Sequence, residues 1–379
     1  MTSPSGPPQG AGGYPGSSPA SGNAAGAPAT PQNGGLQADV HTLERAIFEV
    51  KRIIVGQDQL VERMLVGLLA KGHVLLEGVP GVAKTLAVET FAKVVGGTFA
   101  RIQFTPDLVP TDIIGTRIYR QGKEAFDIEV GPVVVNFLLA DEINRAPAKV
   151  QSALLEVMAE RKISIGGQTF PLPSPFLVMA TQNPIEQEGV YALPEAQRDR
   201  FLFKLNVGYP SPEEEREIIY RMGVKPPEPK QILDTGDLLR LQEVASNTFV
   251  HHALVDYVVR IVTATREPEK FGMPDTKAWI AYGASPRASL GIISASRALA
   301  LVRGRDYVVP QDVVEVIPDV LRHRLVLTYD ALADEISSET VINRILQTVA
   351  LPQVNALPQQ GHSVPPAVPA AAAAAASGR

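Results

Sequence analysis

The chain of 379 residues contains no cysteine, which excludes disulfide bonds and thiolate metal sites. It also lacks any apolar run close to the roughly 20 residues that cross a bilayer. Its first residues, MTSPSGPPQG, show no basic segment followed by an apolar one, so no secretory signal is visible. We therefore expect a cytoplasmic protein without a membrane span.

An excess of basic residues is also missing. The 35 basic and 40 acidic side chains give a formal net charge of −5. Proteins that bind nucleic acid usually carry a basic face. The charge balance therefore argues against nucleic acid as the partner, although it does not exclude a local basic channel.

Both ends of the chain are poor in charged and large apolar residues. Residues 1–38 have no charge and are rich in Gly, Pro, Ala and Ser, and residues 352–379 have a similar composition. Such segments bury too little apolar surface to offset the entropy lost on ordering. We expect both tails to be disordered, which leaves two folded units at 39–209 and 210–351.

Short apolar runs alternate with stretches of helical periodicity in the first folded unit. This alternation is typical of parallel strands that helices cover on both faces. After the prolines of YPSP, at 209–212, almost all periodic stretches are helical. The sequence thus predicts an α/β unit with a five-stranded parallel sheet, followed by a helical unit. The predicted strands are 73–76, 99–104, 133–140, 176–181 and 201–207.

A glycine-rich loop follows the first predicted strand and precedes a helix, in HVLLEGVPGVAKTLAVETFA. Backbone N–H groups of such a loop can surround phosphate oxygens, with Lys84 at the β and γ phosphates and the Thr85 hydroxyl on magnesium. The general pattern has glycine where Ala83 stands. A helix-capping turn with a surface lysine is the alternative. The residues predicted to contact ATP here are Gly78, Val79, Pro80, Gly81, Val82, Ala83, Lys84, Thr85 and Leu86.

Polar side chains end two other predicted strands. Asp141 and Glu142 end the strand in VVVNFLLADEINRAP, and Asn183 follows the strand in FLVMATQNP. Ligands bind at the carboxyl ends of parallel strands, where Asp141 would hold Mg²⁺ and Glu142 would activate the attacking water. Asn183 would hold that water or the γ-phosphate. A solvated acidic turn and a turn-forming Asn are the alternatives.

Two arginines precede the fifth predicted strand in LPEAQRDRFLF. In the usual doubly wound order they lie on the opposite side of the unit from the glycine-rich loop. An arginine there would reach a nucleotide held by a neighbouring copy, as an arginine finger. Arg200 is favoured because it adjoins the strand, and Arg198 is the alternative. A local ion cluster with Asp199 is the other interpretation.

A further arginine lies in the first turn of a predicted helix in GASPRASLG. Ser285 is a good N-cap and Pro286 suits the first helical position. Arg287 then opposes the helix dipole, at a cost of about 0.3–1 kcal/mol. We expect nucleotide phosphate to compensate, reached from the helical unit over the α/β unit. An ordinary ion pair with Asp or Glu is the alternative.

Five segments together resemble the MoxR family of AAA+ ATPases over residues 40–349: GVPGVAKT, LLADEINRAPAKVQSALLEVM, ATQNPIEQEG, LPEAQRDRF and GASPRAS. Ala83 is usual in that family. The resemblance implies an AAA+ core with a helical lid, ATP and Mg²⁺, and a ring that is usually hexameric. It also implies a chaperone-like role and partner proteins with von Willebrand factor A domains. The roles carried over are Lys84 and Thr85 as Walker A, Asp141 and Glu142 as Walker B, Asn183 as sensor 1, Arg200 as the finger, Arg287 as sensor 2, and Val55 and Gly56 beside the adenine.

Segments 115–131 and 162–173 predict two hairpins, the second about the dipeptide Gly166-Gly167. In related proteins such hairpins face the pore and contact the substrate, whereas surface decoration is the alternative.

The leading hypothesis is ATP-driven remodelling or maturation of partner proteins. The rival hypotheses are a nucleotide-gated scaffold with little turnover and a DNA-translocating ring.

Overall fold

The computed structural model describes residues 33–79, 81–183, 190–223 and 227–353. None of the helices in these ranges has both the length and the apolar character needed to span a bilayer. Residues 1–32 and 354–379, most of the two predicted tails, lie outside the described residues.

The strands and helices follow one another in the predicted order. The strands are β1 (Val74–Gly78), β2 (Phe99–Gln103), β3 (Gly115–Arg120), β4 (Ala125–Val130), β5 (Phe137–Asp141), β6 (Lys162–Ile165), β7 (Gln168–Pro171), β8 (Leu177–Gln182), β9 (Phe203–Val207), β10 (Ile280–Tyr282) and β11 (Val326–Leu327). The α-helices are α1 (Asn33–Lys51), α2 (Asp58–Leu69), α3 (Lys84–Val95), α4 (Pro110–Ile114), α5 (Ala148–Glu160), α6 (Glu195–Arg198), α7 (Pro212–Met222), α8 (Thr235–Asn247), α9 (His252–Ala264), α10 (Pro274–Trp279), α11 (Pro286–Val302), α12 (Pro310–Leu321), α13 (Tyr329–Ala333) and α14 (Ser338–Thr348).

The boundary of the amino-terminal tail differs from the prediction. Residues 33–38, predicted to be disordered, form the start of α1. Leu36 packs against the main hydrophobic core, and the carboxylate of Asp39, one turn later, accepts a hydrogen bond from Arg240 Nη1 at 2.7 Å. These long-range contacts order residues whose composition alone indicates disorder, so the prediction for 33–38 is wrong.

The central sheet confirms the α/β prediction. Its order is β2-β5-β8-β1-β9, all its strands are parallel, and each one overlaps a predicted strand. Three of the five, β1, β5 and β8, are mostly apolar and buried on both faces, as expected of a sheet between helical layers, whereas the edge strand β9 alternates buried Phe203, Leu205 and Val207 with the less buried Lys204 and Asn206. The carboxyl ends of β1, β5 and β8 lie at one edge of the sheet. At the opposite edge lie the residues that precede β1 and β9, and a five-residue strand separates the two edges by about 16 Å.

The helical unit packs on the α/β unit through one continuous hydrophobic core. The core runs from α1, α2 and α3 through β1 and β9 into α8, α9, α11 and α12. A buried ion pair crosses the same contact, with Arg63 Nε of α2 donating to Asp319 Oδ2 of α12 at 2.8 Å. A second core on the other face of the sheet joins α5 to the inner strands. The α/β part and the helical part of the chain therefore share a core.

Both predicted hairpins are confirmed. β3 pairs antiparallel with β4, and β6 pairs antiparallel with β7. Gly166 and Gly167 join β6 to β7 with φ of 57° and 84°, values that favour glycine at both positions of the turn. A methyl group on Gly166 would lie 2.0 Å from Arg117 Cδ, so the β6–β7 turn lies against β3.

Candidate functional site

The glycine-rich loop turns tightly between β1 and α3. Gly78 ends β1 so close to β9 that an added Cβ would lie 2.3 Å from the carbonyl oxygen of Val207. Gly81 has φ of 84°, and Ala83 adopts the left-handed conformation with φ of 57° immediately before α3. The loop therefore presents the first backbone N–H groups of α3 towards the carboxyl edge of the sheet, as an anion site requires.

A cavity of about 400 Å³ lies against this loop. It brings together five residues that the sequence predicted to act at one site, Lys84, Thr85, Asp141, Glu142 and Asn183. They come from the start of α3 and from the ends of β5 and β8. β5 and β8 are adjacent in the sheet, and β8 is also adjacent to β1, which leads into the loop before α3. The remaining lining residues are Gly81, Ala83, Leu86, Arg101 and Thr181.

Lys84 and Arg101 are the two cationic residues that line this cavity, and Lys84 belongs to the glycine-rich loop. Lys84 Nζ donates a hydrogen bond to the carbonyl oxygen of Gly78 at 2.6 Å. Burial lowers the pKa of the Lys84 ammonium below its ordinary value, whereas the nearby carboxylates of Asp141, Glu142 and Glu77 act in the opposite direction. The ammonium is thus partly removed from water, and a bound anion would regain part of that lost solvation.

Asp141 has two partners that the sequence did not predict. Arg101 of β2 donates to its Oδ2 from Nη2 at 2.6 Å and from Nε at 3.1 Å. Thr181 of β8 donates its hydroxyl to Oδ1 at 2.5 Å. Asp141 is therefore held from both neighbouring strands, and each of its carboxylate oxygens already accepts a hydrogen bond.

Glu142 adopts a left-handed backbone conformation, with φ of 55°. Its N–H donates to Thr181 Oγ1 at 2.8 Å, and its Oε2 accepts from Gln103 Nε2 at 2.9 Å. Arg145 Nε lies 3.0 Å from the same oxygen. A non-glycine residue in this conformation is sparsely populated and usually has a local reason. Here the turn directs the Glu142 side chain into the cavity beside Asp141.

Arg101, Gln103 and Thr181 are functional candidates that the sequence did not single out. Arg101 and Gln103 lie on β2, and only the sheet order shows that β2 is next to β5. Thr181 precedes Asn183 by two residues in ATQNP. Its position near the same strand end could therefore have predicted that it lies at this site.

The cavity contains oxygen atoms of the kind that would coordinate the Mg²⁺ of a magnesium nucleotide. Mg²⁺ prefers oxygen ligands and commonly takes one or two protein groups together with substrate phosphates. Thr85 and Asp141 supply these oxygens within one cavity. Groups of three or more His, Cys, Asp or Glu side chains that could hold a metal without substrate do not occur in the described ranges. The residues present therefore fit a nucleotide-dependent magnesium site.

Other predicted nucleotide contacts lie outside the cavity lining. Val79 packs partly against the main core and Val82 is buried in it, while Pro80 lies outside the described residues. Val55 and Gly56 lie near the end of β9, since the next residue, Gln57, donates to the carbonyl oxygen of Gly208 at 3.2 Å. A methyl group on Gly56 would lie 2.7 Å from Glu214 Cδ of α7.

Arg200 and Arg287 lie together at the opposite edge of the sheet. They line a second cavity, of about 370 Å³, next to His73 and Leu202, which precede β1 and β9. Arg287 does not line the Lys84 cavity of its own chain, because α11 packs against the amino ends of these strands, where Gly291 of α11 and Leu202 line the same cavity as Arg287. The cationic residues of this second cavity are Lys71, Arg161, Arg200, Arg287 and Arg324.

Asp199 does not form the local ion cluster with Arg198 and Arg200 that was the alternative interpretation of this segment. Its carboxylate accepts hydrogen bonds from Arg324 and Ser285 and lies 3.5 Å from Arg287 Nη1. Arg200 Nη1 instead donates to the carbonyl oxygen of Leu155, and the buried Nε of Arg198 has no partner among the described residues. Arg200 thus shares a cavity with Arg287, whereas Arg198 does not line it.

Two protein-family models match the chain. Residues 73–203 match the ATPase family associated with various cellular activities (AAA), and residues 275–345 match the AAA lid domain. The first match contains β1, the glycine-rich loop, the acid pair and Arg200. The second contains Arg287 and the helices around it.

Full-length relatives agree with these matches. The chain is 82% identical over 381 residues to Chaperone MoxR1 of Mycobacterium tuberculosis, covering 100% of both chains. It is 33% identical over 301 residues to Protein MoxR of Paracoccus denitrificans, covering 73% of this chain and 86% of the relative. A crystal structure of a candidate ATPase from Cytophaga hutchinsonii superposes with a TM-score of 0.80 at 45% identity, covering 84% of this chain and 97% of that one. The chain belongs to the MoxR family of AAA+ ATPases.

Proposed function

We propose that the chain hydrolyses Mg·ATP at sites shared between neighbouring copies in a ring, and that it uses the turnover to remodel or mature partner proteins. One observation carries the shared site. Lys84 lines a cavity at the carboxyl edge of the sheet, whereas Arg200 and Arg287 line another at the amino edge. A second copy can bring its Arg200 to the first copy's Lys84, but a single chain cannot.

Within one copy, the first cavity holds the nucleotide. The backbone N–H groups of the loop and Lys84 bind the β and γ phosphates, and the Thr85 hydroxyl and Asp141 carboxylate are the magnesium ligands. Bound Mg²⁺ neutralises charge that develops on the phosphate oxygens during transfer. Val55 and Gly56, next to the end of β9, contact the adenine.

Glu142 is the residue that orients the attacking water and takes its proton. Gln103 and Arg145 contact Oε2 of its carboxylate, so Oε1 is the oxygen assigned to the water. Asn183, at the same cavity, holds the water or the γ-phosphate from the other side. The positions of both residues at strand ends keep them rigid during the reaction.

Arg200 and Arg287 act on the nucleotide of the neighbouring copy. The two guanidinium groups share a cavity that also contains Lys71 and Arg161, so several cations surround the place where a triphosphate would enter. An arginine supplied in trans raises phosphoryl-transfer rates by about 10³–10⁵ in other systems. This arrangement supports a ring, for which six copies is the size that the family resemblance implies.

The β3–β4 hairpin is the element proposed to contact the protein substrate. The rings of Tyr119 and Phe126 contact each other at a tilted angle with centroids 5.1 Å apart, and they are 50% and 59% exposed. Arg117 lies over the Phe126 ring at 4.6 Å. Exposed aromatic side chains are favoured at protein contacts. The name of the relative Chaperone MoxR1 and the family's association with von Willebrand factor A domains support a protein partner.

The test uses three variants and a steady-state phosphate-release assay. Glu142→Gln should bind ATP with near-normal affinity and lose turnover. Lys84→Ala and Arg200→Ala should each be inactive alone, and a mixture should regain activity because each chain supplies the half that the other lacks. Full turnover by Glu142→Gln would refute the assigned base. Absence of any gain on mixing would refute the shared site.

A further inference from the structure

Asp199 joins the α/β unit to the helical unit directly beside Arg200. It lies between α6 and β9, and its Oδ1 accepts a hydrogen bond from Arg324 Nε at 2.8 Å. Its Oδ2 accepts from the hydroxyl of Ser285 at 2.9 Å. One carboxylate therefore contacts two separate segments of the helical unit, the residue that precedes α11 and a residue that follows α12.

The buried side chain of Arg324 makes several hydrogen bonds to the segment around Arg200. This side chain is 4% exposed, and besides Asp199 Oδ1 it donates to the backbone carbonyl oxygens of Asp199 at 3.2 Å and Phe201 at 2.6 Å. Burial lowers the pKa of the Arg324 guanidinium, and Asp199 acts against that change. Asp199 is its carboxylate partner within the described ranges. The pair thus fixes the backbone on both sides of Arg200 to the helical unit.

Ser285 connects the same carboxylate to Arg287. Its hydroxyl donates to Asp199 and accepts from the backbone N–H of Arg287 at 3.2 Å, as an N-cap does. Arg287 Nη1 also lies 3.5 Å from Asp199 Oδ2, but this side chain is 59% exposed. The start of α11 is therefore held firmly, while the Arg287 guanidinium is held weakly enough to move to a stronger anion.

We propose that Asp199 and Arg324 are positioning residues that fix the spacing of Arg200 and Arg287, so that both guanidinium groups meet the triphosphate of the neighbouring copy together. The inference rests on the proposed function, because it assumes that these two arginines act in trans. It adds that the Asp199 carboxylate is required in the copy that donates Arg200 and Arg287, although this carboxylate does not contact the nucleotide itself.

The pair Arg63–Asp319 provides a matched control. It is also buried, with both side chains 4% exposed, and it also joins the α/β unit to the helical unit. It connects α2 to α12 and does not line the cavity of Arg200 and Arg287. Asp319→Asn and Asp199→Asn therefore each remove one carboxylate charge from a contact between the two units, Asp319 being 4% and Asp199 19% exposed, but only Asp199→Asn should disturb the arginines.

The experiment measures kcat and KM for ATP of Asp199→Asn, alone and in mixtures, together with binding of a fluorescent ATP analogue. Alone, its kcat should fall about 10- to 100-fold, the range that a displacement of about 1 Å can cause. KM and analogue binding should stay close to the wild-type values, because the Lys84 cavity is intact. Asp319→Asn, assayed well below its melting temperature, should keep near-normal kcat.

Mixing locates the defect. Asp199→Asn mixed with Lys84→Ala should regain activity, because the Lys84→Ala chain donates intact arginines. Asp199→Asn mixed with Arg200→Ala should gain nothing, because both chains are defective on the same side. If Asp199→Asn fails to fold, Arg324→Lys serves in the same mixtures, since an ammonium cannot make the same set of contacts.

The outcomes separate this inference from the proposed function. If Arg200→Ala and Lys84→Ala restore each other but Asp199→Asn has wild-type kcat, or gains nothing with Lys84→Ala, the positioning role is overturned and the shared site stands. If Arg200→Ala and Lys84→Ala gain nothing together, the shared site and the positioning role fail together.

Discussion

Arg101 of β2 holds Asp141 of β5 through two hydrogen bonds to a single carboxylate oxygen, Oδ2, at 2.6 and 3.1 Å. The two residues are diagonal neighbours on adjacent parallel strands, since Gln103 is in register with Asp141 and Arg101 with Leu139. Asp141 is the proposed magnesium ligand, so its carboxylate must accommodate a metal ion beside, or in place of, this guanidinium.

Arg101→Ala should lower the Mg²⁺ concentration that gives half-maximal ATPase activity. The half-exposed pair contributes on the order of 0.2–1 kcal/mol, so the decrease should reach about fivefold at most. Titration of activity with Mg²⁺ at saturating ATP measures it. Arg120→Ala, which removes the exposed pair with Asp127 on the hairpin, is the control and should leave the titration unchanged. A higher Mg²⁺ requirement in Arg101→Ala would show that Arg101 assists metal binding.

Ala83→Gly should preserve nucleotide binding and leave the melting temperature unchanged or slightly higher. Ala83 has φ of 57°, a conformation that costs a residue with a Cβ about 1–2 kcal/mol. Glycine removes that strain, but the greater freedom of the unfolded chain offsets about 0.4–1 kcal/mol of the gain. Thermal unfolding and titration with a fluorescent ATP analogue measure the two effects. Ala83→Val is the comparison, and its β-branched side chain should lower both stability and affinity.

Acidification should destabilise the fold before most carboxylates titrate. Burial lowers the pKa of His73 from 6.5 to about 4, and its neutral ring accepts from the N–H of Val178 at 3.0 Å. Between these pH values the unfolded chain binds a proton that the folded chain does not bind, so stability falls as the pH falls. The loss from His73 should be about 2 kcal/mol at pH 5. His323, whose pKa burial also lowers, adds to the effect.

Urea unfolding at pH 7.5 and pH 5.0 checks the contribution of His73. His73→Gln should be less stable than the wild type at pH 7.5, but it should lose less stability between the two pH values because the titrating group is gone. An equal loss in both chains would mean that His73 does not carry the dependence.

Arg63→Met should destabilise the chain strongly. Arg63 and Asp319 are both buried, and removal of one partner of a buried pair typically costs about 3–5 kcal/mol because the other charge remains. Thermal unfolding measures the change. Arg216→Met provides the control, because its pair with Glu213 is exposed and should contribute less than about 1 kcal/mol. Similar melting temperatures for the two variants would contradict the importance of the buried pair.

The residues that meet in the Lys84 cavity could be predicted largely from sequence. Lys84, Asp141 and Asn183 each follow a strand of strongly apolar composition, and parallel strands place their carboxyl ends at one edge. The partners of these residues could not be predicted in the same way. Arg101 and Thr181 contact Asp141 because β2 and β8 flank β5, and strand order depends on how the connecting helices pack.

The partner of Arg287 within its own chain could not be predicted for a similar reason. Ser285 and Pro286 correctly predicted the start of α11, because helix capping is local. The partner of Arg287, however, depends on where the helical unit packs. The shared core with α2 and β9 brings α11 to the amino edge of the sheet, where Asp199 contacts it.

The amino-acid sequence by itself determined the strands, the glycine-rich loop, the acid pair and the helix starts, because each depends on residues adjacent in the chain. Only the tertiary structure decided that the arginines lie across the sheet from Lys84, and that Asp199 binds Arg324, 125 residues away, rather than its own neighbours. The physical reason is that burial of apolar surface between distant helices, which no local pattern specifies, sets which charged groups meet.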